Sequence, residues 1–73
     1  MHRVYICSPL DGNVSANIEN GKRYARYALE CGMAPFIPHF YALILDDSNK
    51  EERNLGMLAE LSMLWVCDAV WAF

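Results

Sequence analysis

Cysteine is scarce and odd in number, at Cys7, Cys31 and Cys67, with no C-x-x-C pair and no histidine at a ligand spacing from any of them. This excludes a disulfide framework and a structural zinc site. The three thiols are expected to be buried in a reducing cytoplasm, with Cys7 a packing residue of a strand rather than a nucleophile. Basic residues are also few: six against nine acidic ones, a net charge of −3 and a pI of about 5.1, with no dense basic run. Nucleic acid is not an expected partner, since nothing here would attract a phosphate backbone. A long hydrophobic run is lacking too, because Glu60 and Asp68 interrupt Met57 to Phe73. No membrane span is expected, no signal peptide is read at the N-terminus, and a cytoplasmic location follows. Repeats, linkers and low-complexity segments are absent from the sequence, and no cofactor is called for.

What is present is unusually apolar for its size. The chain has 73 residues, enough for one domain, and so short a chain buries only roughly 60% of its unfolded surface. Yet 55% of its residues are hydrophobic, which leaves apolar surface over for a partner.

The first segment organises the rest. Val4-Tyr5-Ile6-Cys7 has no polar alternation and reads as a strand buried on both faces, as in the middle of a parallel sheet. Ser8, Pro9, Leu10, Asp11, Gly12 and Asn13 then form a strand-to-helix loop of the kind that binds ligands at the carboxyl ends of strands in open α/β sheets. Asn13 or Ser15 can cap a helix running to about Cys31, with Gly32 just past its end. Val14, Ile18, Gly21, Ala25, Ala28 and Leu29 form its apolar stripe, and mid-helix Gly21 is tolerable if the helix lies close against the sheet there.

Ala34 to Pro38 is a short second strand whose prolines demand an edge position. His39 follows at its carboxyl end, and the right-handed crossover brings it to the same sheet edge as Ser8. Phe40 to Asp47 is a connection, and Ser48-Asn49-Lys50-Glu51 has the form of a capping box opening a second helix. Leu55, Leu58, Ala59, Ser62, Trp65 and Val66 are expected to be its buried face. Arg53, Gly56, Met57 and Glu60 lie along a different strip. Asp68 leads into a third strand, Ala69 to Phe73. The fold class expected is therefore α/β, a three-layer Rossmann or flavodoxin-like parallel sheet in order 2-1-3.

The order Tyr5-Ile6-Cys7-Ser8-Pro9, then Pro35 to His39, then Arg53 to Asp68 resembles the nucleoside 2-deoxyribosyltransferase-like superfamily, most closely its small DUF4406 (DUF7768) branch. The resemblance covers residues 1–73 as a single domain, and the chain looks like the N-terminal half of such a protein, stopping after the third strand. In that superfamily a glutamate attacks the anomeric carbon of a nucleoside, and an acidic residue on the second helix handles the base or sugar. Transferred by position, Glu60 takes the place of the helix acid, where the family usually has aspartate. Tyr5, Ser8, Pro9, Leu10, Asp11, Gly12, His39 and Arg53 would bind the substrate. Relatives that cleave nucleotide monophosphates place an arginine where this sequence has Asp11. A carboxylate there repels a phosphate, so a nucleoside is favoured over a 5′-monophosphate. The family's nucleophile belongs to a G-M-x-x-E-like segment after the third strand, and this sequence shows none. The resemblance thus implies a nucleoside- or nucleotide-binding domain that is inactive as this short chain, being either a fragment or a natural short form that relies on another chain. A homo-oligomer is expected, through the strand of Trp71 and Phe73.

Each residue also has a plainer reading. Glu60 can be a surface charge or a partner of Arg53, His39 can finish a strand end by hydrogen bonding, and Tyr5 can be a core aromatic. Asp68 is read as structural, since it enters its strand at the edge opposite the ligand crevice. Asp46 and Asp47 lack a third ligand and are read as solvated, so no metal is expected. A non-catalytic ligand-binding or oligomer-assembly module is the alternative to an enzyme of N-glycosidic bonds.

Overall fold

The computed structural model describes residues 1–8, 14–46 and 48–73, with Val14 described by its backbone alone. Its strands are β1 (Arg3–Cys7), β2 (Ala34–Phe36) and β3 (Ala69–Ala72), and its α-helices are α1 (Val14–Glu30) and α2 (Lys50–Leu64). A 3-10 helix, Pro38–Leu43, follows β2. The sheet is parallel, in order β2-β1-β3, as the central apolar run and the proline-bearing edge strand require. The register sets Tyr5 beside Phe36 on one side and Val70 on the other, and Ile6 beside Trp71.

Side-chain alternation along β1 sends Val4 and Ile6 to one face and Tyr5 to the other. Val4 and Ile6 are fully buried with Ala28 of α1, and Tyr24, Met33, Ile37, Ala69 and Trp71 close around them. Burying each of these two aliphatic side chains is worth about 1.5–3 kcal/mol. Gly21, Ala25 and Ala28 form the buried line of α1 as its periodicity predicts, but Leu29 points to solvent. Its position, one step past Ala28, rotates it about 100° off the stripe. At the end of α1, the N–H of Met33 donates to the Ala28 carbonyl at 2.9 Å and that of Gly32 to Leu29 at 3.0 Å. With Gly32 at φ 77°, this is a Schellman closure.

Helix α2 corrects two expectations. Its N-cap is Asn49, whose side chain accepts from the N–H groups of Glu51 and Glu52. Ser48 instead turns its hydroxyl to Asp46, 2.6 Å away. More consequentially, Leu55, Leu58, Ser62, Trp65 and Val66 are exposed, and only Ala59 of the expected face is partly covered. The packed side carries Glu52, Gly56, Ala59, Glu60 and Met63 instead. Gly56 is the reason: a Cβ there would stand 3.1 Å from Leu45 Cδ1, so the helix seats on its glycine.

The expected thiols also differ, since Cys7 and Cys31 are exposed and Cys67 is partly so. Cys7 alternates away from buried Ile6 at a strand end, and Cys31 sits in the turn that closes α1. β3 is an edge strand of the sheet with β1 as its neighbour, and the rings of Trp71 and Phe73 lie on α1. Trp71 rests on Tyr27 of α1 with ring centroids 5.9 Å apart, and Phe73 stacks on Tyr24 at 4.0 Å. Among the described residues no helix is long and apolar enough to cross a membrane.

Candidate functional site

In this strand order the connections leave β1 in opposite directions, so its carboxyl end is the switch point where open α/β sheets form their crevice. Ser8 is the residue that emerges there. The second chain segment to reach this edge begins at Ile37, still extended (φ −116°, ψ 104°), after which Pro38 opens the 3-10 helix. Proline suits the first helical position because it has no N–H to leave unpaired. That turn carries His39 inward to 2% exposure, with Nε2 2.6 Å from Ser8 Oγ.

His39 is packed tightly. A Cβ at Gly21 would lie 3.2 Å from its Cγ and 3.2 Å from Ile37 Cγ2, so the mid-helix glycine makes room for the imidazole. Burial lowers the pKa of His39 below its ordinary value, so the ring is held neutral. Its Nδ1 is buried without a hydrogen-bond partner among the described residues. Such an orphaned group costs about 1–3 kcal/mol, and the Ser8 bond is the ring's single polar anchor among the described residues. Beside it lies a half-open apolar pocket of about 100 Å³ lined by Ile18, Lys22, Ile37, His39, Phe40 and Leu43.

Tyr5 belongs to the other face. Its ring meets Phe36 at 5.4 Å, and Phe36 meets Tyr41 at 5.9 Å, an aromatic path from mid-strand to the 3-10 helix. Burial, with the nearby charge of Glu60 next in effect, pushes the Tyr5 phenol up to about 12. The hydroxyl therefore stays protonated and available as a donor, with the half-buried Glu60 carboxylate beside it. Arg53 is exposed on α2, and no ion pair among the described residues includes it.

Of the residues singled out by sequence, the structure bonds Ser8 to His39 on the α1 side of the sheet, while on the other side Tyr5 lies within electrostatic reach of Glu60. Pro9, Leu10, Asp11 and Gly12 lie outside the described residues. Asp68 is engaged at the opposite edge, where its Oδ2 accepts from the Arg3 N–H at 2.7 Å and its own N–H donates to the Arg3 carbonyl at 2.8 Å. The Arg3 N–H donating to Oδ2 holds the Asp68 pKa below the usual carboxylate range. Asp46 is lowered in the same direction by the Ser48 hydroxyl, and Asp47 lies outside the described residues. No group of three or more His, Cys, Asp or Glu among the described residues could hold a metal ion. Sequence reasoning missed Phe36 and Tyr41 as neighbours of Tyr5. Their only signal is that both are aromatic and flank His39.

The profile of a domain of unknown function, DUF7768, matches residues 2–73. The chain belongs to the DUF7768 family. No curated protein matches this DUF7768 chain, and no solved structure does. The family match spans both halves of the candidate site, Ser8–His39 and Tyr5–Glu60.

Proposed function

We propose that this chain binds a nucleoside-type ligand at the carboxyl edge of its sheet. The observation that carries the reading is the Ser8–His39 hydrogen bond, which fixes a hydroxyl at the point where the strand order reverses. A serine hydroxyl has one donor and two acceptor sites, so one bond to His39 leaves capacity for a sugar hydroxyl. The protonated Tyr5 phenol and the Glu60 carboxylate supply a donor and an acceptor for a polar heterocycle. Negative charge at Glu60 and at Asp11 disfavours a phosphate, which supports a nucleoside over its monophosphate. The resemblance of these segments to nucleoside 2-deoxyribosyltransferases supports the same ligand class.

Binding, rather than turnover, is the activity proposed. Retaining displacement at an anomeric carbon needs one carboxylate as nucleophile and a second group to manage the proton. Among the described carboxylates named above, Asp68 is engaged at the far edge and Asp46 is held by Ser48, which leaves Glu60, whose charge acts on Tyr5, for the proton role in this reading.

The test is an NMR titration with a panel of 2′-deoxynucleosides, paired with an assay for released free base. Shifts are expected at Tyr5, Ser8, His39 and Glu60, with little change around Asp68 and no base released. Shifts confined to the Asp68 end would overturn the binding reading. Base release that disappears in Glu60→Ala would make the chain an N-glycosidic enzyme instead.

A further inference from the structure

Helix α2 is built inside out. Away from the sheet it carries a straight stripe of Asn54, Leu58, Leu61 and Trp65, spaced four, three and four residues, with exposures of 64% at Leu58, 52% at Leu61 and 87% at Trp65. At about 100° per residue, that spacing keeps all four side chains within a narrow arc, the geometry of a coiled-coil seam. Leu55 and Leu64 flank it. A surface helix ordinarily turns such a stripe to its own core and its polar residues outward.

We propose that this stripe is an isologous dimer interface, in which α2 packs antiparallel against α2 of a second copy of the chain. Symmetry argues for that occupant. A two-fold axis passing between Ala59 and Glu60 sets Leu58 of each copy against Leu61 of the other, and Asn54 against Trp65 at both ends. One stripe thereby becomes its own complement, with an aliphatic centre and, at each rim, an amide oxygen offered to an indole N–H. Area argues the same way. The chain exposes 5210 Å², whereas a folded chain of this mass is expected to expose about 4,600 Å². The excess, on the order of 600 Å², is shared by all the exposed apolar residues, of which Leu55, Leu58, Leu61, Leu64 and Trp65 of α2 are a contiguous group, and it is of the order of the roughly 800 Å² that each partner contributes to a standard interface.

Sedimentation equilibrium on the whole chain tests this directly. The wild type is expected to be a dimer at tens of micromolar, an affinity of about 7 kcal/mol or better. Leu58→Lys or Leu61→Glu, each placing an unpaired charge in the seam, should weaken association on the order of a hundredfold or more. Far-UV circular dichroism should not change, because both side chains are exposed in the single chain. Mixing L58K with L61E chains should restore a dimer, since the two new charges then meet across one layer. A wild type still monomeric at about 100 µM would overturn the proposal and leave the seam to a different partner. So would an L58K chain that dimerises as well as wild type. Two monomeric variants that fail to pair on mixing would overturn the antiparallel register.

Discussion

Ser8 Oγ and His39 Nε2 stand 2.6 Å apart although 31 residues of chain separate them. This contact ties the central strand to the turn that follows the edge strand, and it joins the two segments before any ligand arrives. Replacing Ser8 by alanine leaves both ring nitrogens of a buried imidazole without partners among the described residues. Ser8→Ala should therefore cost about 1–3 kcal/mol, read from denaturant unfolding, and should move the His39 ring resonances.

The same histidine makes stability depend on pH. Its folded pKa is lowered from 6.5 by burial, so below that value the unfolded chain binds a proton that the folded chain refuses. Stability is then full above about pH 7 and falls as pH drops from 6.5 toward the folded value. His39→Gln should remove that slope while leaving the loss at lower pH, where Asp46 and Asp68 are protonated. Urea midpoints measured from pH 8 to 5 check it, and an unchanged slope in H39Q would refute it.

At the alkaline end Tyr5 contributes, in the same direction as Cys67, whose thiol is also pushed up by burial. The folded pKa of Tyr5 is about 12 against an ordinary 10.0, so the unfolded phenol ionises first and stability falls as pH rises from 10.0 toward about 12. Tyr5→Phe should be less sensitive over that range. Ultraviolet difference spectra at 295 nm (roughly the tyrosinate band) would show a late phase in the wild type that is lost in Tyr5→Phe.

Gly21 is expected to resist substitution. Alanine gains about 1 kcal/mol of helix propensity, but its Cβ meets His39 Cγ and Ile37 Cγ2 at 3.2 Å. His39 cannot retreat without lengthening its bond to Ser8, and overpacking of this kind costs about 1–3 kcal/mol. Gly21→Ala should be a net loss, with displaced His39 resonances as the accompanying sign.

Gly32 gives a purely conformational contrast. A Cβ there meets nothing within 4 Å, yet φ is +77°. Gly32→Ala should cost about 1–2 kcal/mol, and Gly32→Asn less, because asparagine enters the left-handed region more readily. Equal losses for the two would mean that the closure of α1 does not depend on backbone conformation.

How much of this was legible in the sequence depended on whether local pattern or tertiary contact decided the point. The unbroken apolar run Val4–Cys7, the prolines at 35 and 38 and the right-handed crossover together dictated the sheet order, which was read correctly. The α1 stripe and Gly32 were equally local. Helix α2 departs from expectation because periodicity defines stripes without saying which one meets the sheet, and the larger apolar stripe is not the buried one. The small residues Gly56 and Ala59 allow the closer approach. The 3-10 helix was read as a connection, its only local sign being Pro38. Ser8 and His39 were both singled out, as ligand contacts. Their mutual bond depends on how near the turn after β2 comes to the end of β1, which no spacing encodes.

The two tryptophans occupy contrasting surroundings, and this makes the chain its own optical reporter. Trp65 is 87% exposed on α2, while Trp71 leans on Tyr27 at the edge of the core. Emission from the first should lie to the red and be quenched readily by iodide, and emission from the second should lie to the blue and be shielded. In a Trp65→Phe chain the remaining fluorescence follows loss of the core alone. In a Trp71→Phe chain it follows whatever comes to rest on α2, so folding and docking can be recorded separately at native concentrations and without an added dye.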